Sequence, residues 1–496
     1  MVGGGLSRQV GLVALGKGAS ALSILALSAV LAWAWDPDQM GAYGAVWSLG
    51  NFLIPLFLLG FPTSLLYFYP RLDQAGRQRL VLQAALCLAV AGMALGGLLH
   101  LAGPWLAFLL DYEKKAGAGE LGPYLGAFLP YVCCWVAGGV VEPALVAAGR
   151  LRWQAGIAVG VAVLQLGIGG AAVLWGWEVG EVLWAFSGLG GLRLAAGYAL
   201  VGAAVGWGGW GRRVEGLGEL LRYSLPVALG DGVGSMARAV DRLVVLWFFS
   251  TETFGFYYLG AIEVPVSVLL ASATAVLIPQ VSGLHAQGRR AEIAGLWRAA
   301  VERLSLVVMP LFFFLLALSG TLVELFYPRQ YGQSAWVMRV FLLTLPLRCA
   351  IYNPLLVGMG KARWVLWVGA GDLLLNLGLS LLLTQALLTL WTAWAFLGPA
   401  LATVLSTWVQ VAALVGLIAW QLRLGPGRLL PWGQLGRVCR VSALAGGLCW
   451  AAALLPLPAL LRVALGGAVF GAVAWWGSRP ADRAVFAALW RAEKSP

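Results

Sequence analysis

LSLVVMPLFFFLLALSGTLV, Leu304–Val323, runs for twenty residues without a charged side chain. At 1.5 Å per residue, a helix of this length covers about 30 Å, the hydrocarbon thickness of a bilayer. Comparable stretches recur along all 496 residues, of which 61% are apolar and 11% charged. Soluble domains carry about 25% charge, and a single soluble core stops growing near 250–300 residues. With a mean hydropathy of +0.85, the chain reads as an all-α polytopic membrane protein. Soluble enzymes, nucleic-acid binders and disordered proteins are excluded.

The apolar stretches give about fourteen transmembrane helices, near 10–33, 42–69, 80–110, 121–148, 154–176, 182–207, 222–249, 254–280, 303–325, 334–358, 364–388, 391–420, 439–457 and 460–477. The last two are the shortest. Lys and Arg in the connecting segments set the orientation, because the cytoplasmic side retains them. Twenty-three fall on the side of the N-terminus and three, Lys114, Lys115 and Arg329, on the other. Both termini are therefore expected in the cytoplasm, and the formal net charge of +12 is mainly topological. The opposite loops are short, leaving no room for an external catalytic domain. Six cysteines sit in apolar stretches without metal-ligand spacing and are expected to be ordinary thiols. With two histidines, His100 and His285, no metal site and no catalytic residues are expected, and the chain is not read as an enzyme.

A repeat is visible. Ala14-Leu15-Gly16-Lys17-Gly18 matches Ala228-Leu229-Gly230-Asp231-Gly232 at an offset of 214, and Gly41-Ala42-Tyr43 matches Gly255-Phe256-Tyr257 at the same offset. Six spans separate the copies, so both run the same way through the membrane, as in transporters with parallel repeats. The expected organisation is an N-lobe over 1–207, a linker over 208–221 and a C-lobe over 222–420. A second linker, 421–438, leads to two further spans and a tail over 439–496. Both linkers are basic and suit the lipid surface.

Charges inside a bilayer cost several kcal/mol and face a cavity or a partner. Lys17, Arg238, Arg242, Arg339 and Arg348 form the candidate cationic substrate-binding set. Asp231, Asp241, Glu263 and Asp372 are candidates for ion coupling or charge balance. Asp231, Arg238 and Arg242 share one face of the seventh span, and Asp241 borders it. An ion-pair ladder would need no such spread over separate spans; a water-filled cavity would. Arginine forks suit a phosphate or pyrophosphate group. Asp372 lacks a basic neighbour on its span and is the better titrating group. Arg193 stays outside the site. Prolines within spans provide kinks, and the spacings Gly92/Gly96, Gly156/Gly160 and Gly230/Gly234 permit close helix contact.

Several phrases resemble the polysaccharide flippases of the multidrug/oligosaccharidyl-lipid/polysaccharide (MOP) exporter superfamily. DRLVVLWFFSTETFGFYYLGA (Asp241–Ala261) is similar to that family's seventh-to-eighth junction, and IPQVSGLHAQGRRAEI (Ile278–Ile293) resembles its eighth-span exit. LVELFYPRQYGQSA (Leu322–Ala335) is similar to the loop after the ninth span, and NPLLVGMGKAR (Asn353–Arg363) resembles the tenth-span exit. Asp372 with Asn376 falls in the polar eleventh span, and Asp36–Tyr43 looks like the family's first outer turn. The resemblance implies two six-helix lobes and alternating access in the bacterial cytoplasmic membrane. Its substrate would be an undecaprenyl-pyrophosphate-linked oligosaccharide, an O-antigen, capsule or exopolysaccharide unit, moved from the inner to the outer leaflet. No cofactor is expected, and a proton or cation gradient is the candidate energy source. Membrane lipids, a polysaccharide polymerase and glycosyltransferases are the expected partners. The alternatives are flipping of lipid II for peptidoglycan, which fourteen spans suit, cation-driven drug export, and a non-transporting scaffold of polysaccharide assembly.

Overall fold

The computed structural model describes residues 3–109, 121–206, 216–261, 267–477 and 479–480. These residues are nearly all helical and include no strand. Ten helices among them are long and apolar enough to cross a membrane, so the chain is a multi-pass membrane protein. Four expected spans fall outside that set for visible reasons. In the first, the apolar part described is the shorter Gly18–Ala34. The seventh carries Asp231, Arg238, Asp241 and Arg242, the eighth contains the undescribed residues 262–266, and the thirteenth carries Arg437 and Arg440.

Contacts divide the chain into two compact units, Met1–Leu259 and Gly260–Pro496. The first contains α1 (Gly3–Ala34), α2 (Pro37–Phe57), α3 (Phe61–Phe68), α4 (Gln74–Leu109), α5 (Leu121–Ala137), α6 (Val141–Ala147), α7 (Leu151–Trp175), α8 (Val179–Val205), α9 (Leu217–Phe248) and nearly all of α10 (Thr251–Gly260). The second contains α11 (Ser267–Ala286), α12 (Arg290–Phe326), α13 (Ser334–Leu342), α14 (Asn353–Gly358), α15 (Ala362–Leu390), α16 (Gly398–Leu422), α17 (Trp432–Ala453) and α18 (Ala459–Gly477). The border between the units thus falls at the end of α10; of the linker expected at 208–221, residues 208–215 lie outside the described residues.

In the first unit α1 packs on α7 and α4 on α5. Gly169 lets Leu27 approach α7 closely, and the Trp35 indole donates to the Trp177 carbonyl at 2.9 Å. Gly92 and Gly96 face Cys133 on α5, the close contact their spacing permits. Gly156 and Gly160 have open space instead. The centre is aromatic: Tyr43, Trp47, Phe128, Tyr131 and Phe186 form a chain of ring contacts joining α2, α5 and α8. In the second unit Trp297, fully buried, anchors α12 by donating to the Ile351 carbonyl at 3.0 Å. The six cysteines are free thiols.

The repeat extends into the backbone. Both ends of α1 are displaced by the same 214 residues in α9, and both helices have 32 residues. The next helices are capped at equivalent positions. Asp36 Oδ1 accepts from the Gln39 amide at 2.8 Å, and Ser250 Oγ from the Thr253 amide at 3.3 Å. Where α2 and α10 meet, the contact is reciprocal. A β-carbon on Gly41 would run into the Thr251 carbonyl, and one on Gly255 into the Pro37 carbonyl. Pro37 and Thr251 are themselves 214 apart, as are Gly41 and Gly255. The Tyr258 ring packs on Gly44 and meets Tyr43 edge-on.

Gly41→Ala and Gly255→Ala should each lower stability by about 1–3 kcal/mol, the usual cost of overpacking. Gly160→Ala, in open space, should leave it unchanged or slightly raised. Thermal unfolding of the detergent-solubilised protein distinguishes the two classes.

Candidate functional site

A break between α2 and α3 builds the candidate site. Pro55 and Pro62 lack amide protons, and between them Leu59 and Gly60 take left-handed backbone at φ 51° and 69°. For Leu59 this is a strained position. Gly60 has no side chain because the Ser224 carbonyl and the Ala228 amide of α9 occupy that space. Beside it, the hydroxyls of Ser64 and Ser224, both fully buried, share a 2.7 Å hydrogen bond. Further along α9, Leu56 packs onto Gly232. Irregular backbone at membrane depth is tolerated where it lines a cavity or is buried in protein.

Here it lines a cavity. A cleft of about 370 Å³ lies between the broken helix and α9, walled by Pro55, Leu58, Pro62, Gly230, Asp231, Gly234 and Arg238. Asp231 and Arg238 are exposed and close enough to interact electrostatically. Gly230 and Gly234 do not serve helix contact. Gly230 meets open space, and the nearest neighbour of Gly234 is the Arg238 guanidinium. The missing side chains make room in the cleft.

The other predicted residues are placed as follows. Asp241 is 3% exposed and accepts a 2.8 Å hydrogen bond from the Tyr257 hydroxyl. It joins α9 to α10 and is not among the cleft walls. Arg242 lies near Asp241. In the second unit, Arg339 on α13 donates through Nε to the Ser319 hydroxyl of α12 at 2.8 Å and lies over the Trp336 ring at 4.5 Å. Arg348 is half-buried in the 3-10 turn Leu345–Cys349. Asp372 on α15 is half-buried, with Ser406 beside its carboxyl. One of its oxygens is buried and has no hydrogen-bond partner among the described residues. One turn on, Asn376, 1% exposed, accepts from Ser380 at 3.1 Å and contacts Thr403 of α16 at 3.3 Å. Glu263 lies outside the described residues, as does the side chain of Lys17.

Two features were not anticipated. Kinks were expected at Pro55 and Pro62, but not a full break at Leu58-Leu59-Gly60-Phe61, where two residues take left-handed backbone. Arg193 sits over the Trp135 ring at 4.0 Å and interacts with Glu142. It thereby finds its partners inside the first unit. The second unit also holds an apolar cavity of about 490 Å³ between α12, α17 and α18, with Pro310, Phe314, Phe470, Trp475 and Arg437 among its walls.

Structural comparison decides the architecture. A lipid II flippase MurJ in an inward closed conformation superposes with a TM-score of 0.68 at 13% identity, covering 93% of this chain and 98% of that one. An inward-facing multidrug resistance MATE family transporter of the MOP superfamily gives 0.64 at 14% identity, over 82% and 94%. The chain shares the fold of these two proteins. A MOP superfamily transporter from Pyrococcus furiosus, whose binding pocket is described as of reverse polarity, gives 0.57 at 14% identity, over 84% and 95%. Residues 194–336 match the family described as Polysaccharide biosynthesis protein. No curated protein matches the chain.

The two acids of α9 should separate experimentally. Tyr257→Phe removes the hydroxyl that donates to the buried Asp241 carboxyl and should cost about 1–3 kcal/mol of stability. Asp231→Asn, at an exposed position, should stay within about 0.5 kcal/mol of the parent. Unfolding in detergent measures both.

Proposed function

We propose that the chain is a MOP transporter that flips an undecaprenyl-pyrophosphate-linked oligosaccharide, an O-antigen, capsule or exopolysaccharide unit, from the inner to the outer leaflet of the bacterial cytoplasmic membrane. The observation that carries this reading is a polar cleft, with Arg238 and Asp231 in its walls, inside a chain that is 61% apolar. The match of residues 194–336 to a polysaccharide biosynthesis family supports the substrate class. A guanidinium keeps its charge and offers a fork of donors to a phosphate group. Arg242 and Lys17 of the first unit are assigned to the same cationic path, Arg339 and Arg348 are the candidate substrate-binding cations of the second unit, and both termini are assigned to the cytoplasm. The sugar head crosses through the protein while the prenyl tail stays in lipid.

Asp372 is assigned the coupling role, driven by a proton or cation gradient. A half-buried carboxyl with an orphaned oxygen, one turn from the Asn376–Thr403–Ser380 group, suits a site that gains and loses a cation. A second reading, lipid II flipping, is favoured by one observation, the 93% coverage by the MurJ structure. The substrates of both readings carry pyrophosphate, so the glycan discriminates between them.

Reconstitution in proteoliposomes tests this directly. Transfer of a fluorescent undecaprenyl-pyrophosphate glycan between leaflets should fall at least about tenfold in Arg238→Ala, a loss of about 1.4 kcal/mol in the path, with the folded protein retained. Asp372→Asn should remove the dependence on an imposed gradient. Transfer at the parent rate in Arg238→Ala would overturn the cationic path. Transfer of lipid II with none of the oligosaccharide would favour the second reading.

A further inference from the structure

The short α3 has an unusual setting. It is preceded by the left-handed pair Leu59–Gly60 and followed by a 3-10 turn, Tyr69–Arg71. It is therefore an eight-residue segment with a backbone joint at each end. Four of its contacts hold it to α9 or cover that seam. The Ser64 and Ser224 hydroxyls bond at 2.7 Å. The Tyr67 ring lies on Tyr223 with centroids 4.6 Å apart and planes 15° from parallel. Phe68 meets Tyr223 edge-on at 5.4 Å. The Arg71 guanidinium lies 3.7 Å from the Tyr67 centroid. Two groups that near cannot share one ring face, so Arg71, Tyr67 and Tyr223 form a three-layer stack.

The stack stands at one end of the cleft. Pro62, a cleft wall, is five residues before Tyr67, about 8 Å along the helix. Gly230, another wall, is seven residues after Tyr223, about 10 Å along α9. This is the end where Arg71, Arg77 and Arg222 gather. This end of the seam is neither wholly apolar nor sealed. Here Tyr67 is 39% exposed, Arg71 is exposed, and the buried contact between α3 and α9 includes a hydroxyl pair. Stacks of this kind are modest one by one and break reversibly.

We propose that the Arg71–Tyr67–Tyr223 stack, with the Ser64–Ser224 bond, is a latch that closes the cleft at its arginine-rich end, and that α3 swings on its two joints to open it. The latch rests on the reading of the cleft as part of the transport path. The closed state is the one described above. In the open state Tyr67 leaves Tyr223, and the phosphate-bearing head gains access to Arg238.

A labelling experiment that needs no substrate tests it. Gly234→Cys places a thiol in the cleft wall, in the full chain with its six native cysteines replaced by alanine. A membrane-impermeant maleimide is then applied from the arginine-rich side. Tyr67→Ala and Tyr223→Ala should each raise the labelling rate about tenfold, while Tyr67→Phe, which keeps the stack, should label at the parent rate. A separate Ser64→Cys/Ser224→Cys pair should stop glycan transfer when oxidised and recover it on reduction. An unchanged labelling rate in both alanine variants, with unfolding temperatures showing them folded, would overturn the latch whatever the transfer assay gives. Faster labelling without glycan transfer in the parent would support the latch and remove the glycan reading.

Discussion

Two backbone carbonyls set the frame of the first unit. The Thr251 oxygen occupies the place of a side chain at Gly41, and the Pro37 oxygen that of one at Gly255. Lipid tails are as apolar as leucine, so helices in a bilayer gain little from hiding apolar surface. Close packing of small residues holds them together instead. This reciprocal contact locks the start of α10 onto the start of α2. Only Phe249 and Ser250 connect α9 to α10, and α9 runs beside α2 and α3. Gly60 against Ser224 and Gly232 against Leu56 tighten the same seam. The cleft is what remains where Gly230 and Gly234 present no side chain and the proline-broken helix cannot fill the space.

The membrane class was legible because hydropathy and length are set by bilayer thickness, which any spanning helix must obey. The repeat was legible as well: ALGKG against ALGDG gave the offset of 214 that the ends of α1 and α9 and the caps at Asp36 and Ser250 all keep. Charge on a helix face also reads directly, since 3.6 residues per turn put Asp231 and Arg238 on one stripe.

What stayed hidden depends on partners that a helical period does not encode. Gly92/Gly96 and Gly230/Gly234 have the same spacing, yet the first pair packs on Cys133 and the second opens a cleft. Asp241 and Asp231 are both acids on α9, but Tyr257 claims one of them. Arg193 and Arg339 each found an aromatic face, Trp135 and Trp336. The glycine contact keeps α10 with the first unit, and nothing in the sequence of the basic linker announces it.

The two copies of the repeat show how a function can be written onto an unchanged frame. At the offset of 214, Asp241 corresponds to Leu27 and Arg238 to Ile24. Asp241 and Leu27 are both 3% exposed, so burial is the same although one is an acid and the other a hydrocarbon. Ile24 and Arg238 are both exposed. The geometry therefore assigns these two positions to the same face in both copies, and the chemistry is free to differ. In α1 these positions are apolar, and Leu27 packs against Gly169 of α7. In α9 the buried position could become an acid because Tyr257, the counterpart of Tyr43, supplies a hydroxyl there. The exposed one could become an arginine because it opens onto the cleft. A charge in a bilayer survives only where it has such a partner or such a cavity. The polarity of α9 is thus a consequence of its seat beside the broken α2–α3 helix.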